Sequence, residues 1–118
     1  MLFLSSCSNE QSDRRTKILD VRTDLTKDSN WWVVPEDVAK MTIYVEAEHT
    51  DIVLFWLAPT GTGTGKERTL IGYDVDGSDG WSYTWEFGDR TFHDHIHIQA
   101  LGSDDSTLAS HTINVHSP

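Results

Sequence analysis

Met41-Thr42-Ile43-Tyr44-Val45-Glu46-Ala47-Glu48 alternates apolar and polar side chains without a break. Successive side chains of an extended strand point to opposite faces, so Met41, Ile43, Val45 and Ala47 share one face and Thr42, Tyr44, Glu46 and Glu48 the other. A helix would scatter both sets around its axis, so the stretch reads as a strand with one buried face. The same period recurs downstream. Trp81, Tyr83, Trp85 and Phe87 oppose Ser82, Thr84 and Glu86, while Ile96, Ile98 and Ala100 oppose His95, His97 and Gln99. Ile52 to Leu57 is apolar on both faces, which marks a central strand or one whose outer face is covered, the Asn30 to Pro35 segment being the candidate cover.

Working outward, runs of this kind separated by Gly, Asp, Ser, Pro and Asn clusters extend from Thr16 to the C-terminus. They place strands near Lys17 to Asp24, Lys40 to His49, Ile52 to Ala58, Arg68 to Val75, Gly80 to Phe87, His93 to Leu101 and Thr107 to His116. No helix of convincing period interrupts them, and Pro35 to Ala39 has room for one short turn. About seven short strands without strand–helix alternation predict an all-β fold, a single antiparallel sandwich burying the inner faces of two sheets. Its domain occupies residues 16–118, behind a residual signal segment and flexible tether at residues 1–15.

Two stretches carry a family resemblance to that class. Tyr83-Thr84-Trp85-Glu86-Phe87-Gly88-Asp89 is similar to the Tyr-x-Trp-Asp-Phe-Gly-Asp signature of PKD domains, although that signature stands early in its own family and only two predicted strands follow it here. Ile96 to Val115 resembles the last hairpin of bacterial immunoglobulin-like domains, with a strand ending in Ala, a turn through Gly and Asp, and a Thr-Ile-x-Val return. The resemblance implies an immunoglobulin-like sandwich serving as an extracellular spacer, adhesion unit or carbohydrate-contacting accessory. Such a fold does not choose among those roles.

The N-terminus points outside the cell. Leu4-Ser5-Ser6-Cys7 resembles the lipobox of bacterial lipoproteins, an aliphatic residue and two small ones before the cysteine that is acylated. The resemblance implies a lipid on Cys7, anchoring the domain to the outer face of the cytoplasmic membrane at the bacterial cell surface. Ser8 to Arg15 then forms the tether. The apolar run before Cys7 is short and lacks a basic segment, so the expected signal peptide begins upstream. Cys7 is the single cysteine of the 118 residues, which excludes a disulfide framework. Nineteen acidic against nine basic residues give a net charge of -10, which repels nucleic acid phosphates and anionic lipid surfaces. Membrane contact is expected only through the lipid, and the domain is expected to be a monomer.

Three constellations bear on chemistry. Gly61-Thr62-Gly63-Thr64-Gly65-Lys66 suggests a phosphate loop, but its spacing is one residue short, Glu67 replaces the magnesium-binding hydroxyl, and a strand follows where a helix is required. It reads as a hairpin loop. Asp74-Val75-Asp76-Gly77-Ser78-Asp79-Gly80 gathers oxygen donors of the kind calcium prefers, with Asp74, Asp76 and Asp79 as ligands. It matches only half of an EF-hand loop, and the bland reading is a tight Asp-Gly turn. In His93-Asp94-His95-Ile96-His97 alternation puts three imidazoles opposite the isoleucines. If Leu101 pairs with Leu108, His93 faces His116 and His95 faces Asn114, grouping His93, His95 and His116 as a candidate zinc or copper patch. The bland reading is an exposed strand face that happens to use histidine. His111, in phase with Ile113 and Val115, reads as a core residue.

Five tryptophans raise glycan binding. Trp56, Trp81 and Trp85 lie on apolar strands and read as core, leaving Trp31 and Trp32 as the candidate platform, with one ring expected to plug the sandwich end. No nucleophile elbow, catalytic thiol or zinc-protease helix is present in the sequence. The reading is a non-catalytic module with no required cofactor. Its partner is an extracellular protein or glycan, and the rival roles are calcium or zinc binding and carbohydrate binding.

Overall fold

A computed structural model describes residues 15–59, 68–78, 80–102 and 108–117. Cys7 and its tether, the Gly61 to Lys66 loop, Asp79 and most of the Gly102 to Ser106 turn lie outside those residues. Within them the chain forms β1 (Lys17–Thr23), β2 (Thr26–Asp28), β3 (Trp31–Val33), β4 (Lys40–Glu48), β5 (Ile52–Pro59), β6 (Thr69–Asp74), β7 (Trp81–Glu86), β8 (His93–Leu101) and β9 (Leu108–His116). Two sheets result. The smaller has the order β1-β4-β7 and the larger β2-β3-β9-β8-β5-β6.

The all-β expectation holds, with two corrections. Among the described residues there are nine strands. The additional ones are β2 and β3, where the sequence predicts loop. They are too short to establish a period, and Thr26-Lys27-Asp28 is polar and exposed throughout. The sandwich is also not purely antiparallel, because β3 runs parallel to β9, with Trp32 beside Val115. The Asn30 to Pro35 segment therefore extends the far edge of the large sheet rather than covering β5.

The core lies between the sheets and follows the alternation. Met41 and Ile43 of β4 face Phe55, Ile96, Ile98 and Val115 across the interior, and all of these are fully buried. Trp32 and Val34 seal the end beside β9. Beyond them Arg90 pairs with the buried Asp94 at 3.1 Å and lies over the Phe92 ring. Burying a carboxylate is costly unless it is paired and hydrogen-bonded, and Arg90 meets that need at the rim. In β1 the register shifts between Ile18 and Asp20, and this bulge turns Leu19 out to solvent.

Face and coverage part company at His111. Its partner Ile98 is fully buried, as the shared phase requires, yet His111 is exposed. Three strands are too few to cover the inner side of six, and the start of β9 is left open. The expected core histidine is thus a surface residue.

Candidate binding face

The outer side of the large sheet is built by the β8–β9 pairing. His93 lies opposite His116, His95 opposite Asn114 and Leu101 opposite Leu108. This is the register expected from the sequence, and it follows from burying Ile96, Ile98, Ile113 and Val115, since a slip of one residue would expose all four. The parallel strand β3 then sets Trp31 beside Asn114. A two-residue turn, Ser29-Asn30, joins β2 to β3, with Ser29 at a φ of 60°. Positive φ matches such a turn to the twist of its strands.

Trp31 and the histidines therefore meet. The Trp31 ring stacks on His93 at 5.2 Å and 17°, and meets His116 edge-on at 5.1 Å and 78°. Trp31, His95, Asn114 and His116 are half-buried, and His93 is exposed. The indole is thus held by neighbours while staying open to solvent. Trp32 points the other way, is 9% exposed, and belongs to the core beneath the Lys27 ammonium at 5.5 Å. It cannot share a platform with Trp31, although its burial matches the expectation that one of the two rings plugs the sandwich end.

The face continues across β8 to β5. His97 Nδ1 lies 2.9 Å from Thr112 Oγ1, and Trp56 Nε1 donates to Gln99 Oε1 at 2.8 Å. Arg68 lies over the Trp56 ring at 4.2 Å. Burial first, then the Arg68 guanidinium and His95, hold the His97 imidazole below its ordinary pKa. Trp56 was expected in the core, and this corrects it: pairing with His97 puts it on the outer face. Alternation carries no phase in a strand apolar on both sides. Trp81 and Trp85 do face inward, half-buried against the core.

The acidic turn uses its carboxylates to shape itself. Asp76 N–H donates to Asp74 Oδ1 at 3.0 Å, Ser82 N–H to Asp74 Oδ2 at 3.0 Å, and Ser78 N–H to Asp76 Oδ1 at 3.1 Å. Hydrogen bonds from Ser78, side chain before backbone, lower the pKa of the exposed Asp76 carboxyl. Local bonds of this kind are what make Asp a turn residue. Among the described residues no group of three or more His, Cys, Asp or Glu side chains is placed to hold a metal ion. His93 and His116 instead engage the indole between them.

No protein-family model matches the chain, and no curated protein matches it. Among solved structures it is similar to an engineered protein from a structural-genomics programme, at 17% identity and a TM-score of 0.47. The match covers 84% of this chain and 20% of that one, so the chain spans about a fifth of its structural neighbour's length.

Proposed function

We propose that this chain is a non-catalytic glycan-binding module, with an immunoglobulin-like fold, displayed at the bacterial cell surface on a lipid anchor at Cys7. The observation that carries the binding reading is Trp31, a half-exposed indole fixed by His93 and His116 beside Asn114 and His95. The apolar face of a pyranose stacks on such a ring, while its hydroxyls find the amide of Asn114 and the imidazoles. A ring already held in place loses little freedom on binding, which favours affinity. The immunoglobulin-like reading draws support from the strand order, in which β1-β4-β7 packs against β9-β8-β5-β6 with short antiparallel connections. The lipid anchor rests on the Leu4 to Cys7 motif.

The test is binding of soluble plant and bacterial cell-wall polysaccharides to the domain, measured by calorimetry. Trp31→Ala should weaken binding by roughly tenfold or more, about 1.4 kcal/mol, and Trp31→Phe should restore part of it. Equal affinity in wild type and Trp31→Ala, or no binding to any of the polysaccharides, would overturn the reading.

A further inference from the structure

The opposite sheet carries a feature that the glycan face does not use. A cleft of about 500 Å³ opens on the β1-β4-β7 side. Its walls include Arg22, Tyr44, Glu46, Gly77, Trp81 and Ser82. Arg22, Tyr44 and Ser82 form one row across the three strands, and Asp20 and Glu46 begin the next. The Arg22 guanidinium lies over the Tyr44 ring at 5.1 Å and stands 3.9 Å from Asp20. The Arg22 guanidinium and Asp20 carboxylate of β1 thus stand beside the Tyr44 ring and Glu46 of β4 on one face.

The far wall is the acidic turn. Asp74 accepts from the Asp76 and Ser82 amides, Asp76 accepts from the Ser78 amide, and Gly80 N–H donates to the Gly77 carbonyl at 3.1 Å. Gly77 lies so close to Trp81 that an added Cβ would fall 2.4 Å from the indole. The turn is therefore seated on the tryptophan, and its glycines present main chain rather than side chains to the opening.

We infer that this cleft is a second binding site, for a neutral polyhydroxylated ligand of about disaccharide size. Its volume lies in the range of small-molecule sites. Asp20 and Glu46 oppose an anion, as does the chain's net charge of -10, while Arg22 opposes a free cation. Hydroxyl groups, which both donate and accept, suit a guanidinium and a carboxylate together. The Tyr44 ring gives the apolar surface on which a sugar ring lies.

The experiment is amide and indole NMR mapping of the full chain titrated to millimolar levels with maltose, cellobiose and diacetylchitobiose in turn. Saturable shifts at Gly77, Gly80 and the Trp81 indole are expected for at least one of them. Arg22→Ala and Glu46→Gln, both exposed, should keep the fold and weaken that titration roughly tenfold. Trp31→Ala should leave it unchanged, which separates this site from the glycan face. No saturable shift at those residues with any of the three sugars, or shifts confined to Trp31 and Asn114, would overturn it, as would an unaltered titration in Arg22→Ala.

Discussion

His97 stands in the middle of the large-sheet face, between Thr112 and Trp56. Its pKa is lowered from 6.5 by partial burial first, then by Arg68 and His95 beside it. Between that lowered value and 6.5 the folded chain binds fewer protons at this site than the unfolded chain does. Stability contributed by His97 therefore rises with pH across the window, and is lost as acid protonates the folded imidazole. An NMR titration of its ring proton should show a midpoint below 6.5, moving upward in Arg68→Ala; a midpoint at or above 6.5 would refute this account. The same residue illustrates what sequence could and could not supply. His95, His97 and Gln99 declared their face through the isoleucines between them. Trp56 could not, because Leu54 and Phe55 beside it are equally apolar, and only its pairing with His97 assigns it.

Strands β6 and β7 belong to different sheets yet are locked at one edge of the sandwich. Tyr83 Oη donates to the Ile71 carbonyl at 2.7 Å, and its ring stacks on Phe55 at 5.5 Å. The ring fits because Gly72 has no side chain: a Cβ there would fall 2.3 Å from it. Gly72→Ala should therefore destabilise by about 1–3 kcal/mol, the usual cost of overpacking, seen as a lower urea midpoint at unchanged slope. Tyr83→Phe keeps the ring and should lose about 1 kcal/mol with the hydrogen bond. A neutral Gly72→Ala would mean that the two strands are not held together this way. This lock was not legible in the sequence, since nothing local pairs residues from separate sheets. The long strands were legible, because each buries one face. β2 and β3 were not, because three residues held by a neighbour need no pattern of their own.

Charge is divided between the two sides of the molecule. The outer positions of the small sheet include Asp20, Glu46, Glu48 and Glu86, all exposed. Across the large sheet from β3 to β6, the described outer positions carry no carboxylate; Trp31, His95, His97, Gln99 and Asn114 stand there instead. Against a net charge of -10, that crowding on one side opposes the compact state. Sodium chloride raised from ~0.01 M to ~0.15 M shortens the screening length from about 30 Å to about 8 Å, and should raise the thermal midpoint by a few degrees. An unchanged midpoint would show that self-repulsion is negligible here.

The strand order also sets a timetable. The β2–β3 hairpin, which brings both Trp31 and Trp32, joins the large sheet only through β9. Every part of that hairpin is made long before its neighbour. A polypeptide that emerges N-terminus first must hold Trp32 out of the core until β9 arrives, and β8 must keep an open edge for as long. Neither the Trp31 corner nor the sealed end of the core exists before that moment. The domain thus acquires its Trp31 face and the closure of its core in the same step, and a chain interrupted before β9 has neither.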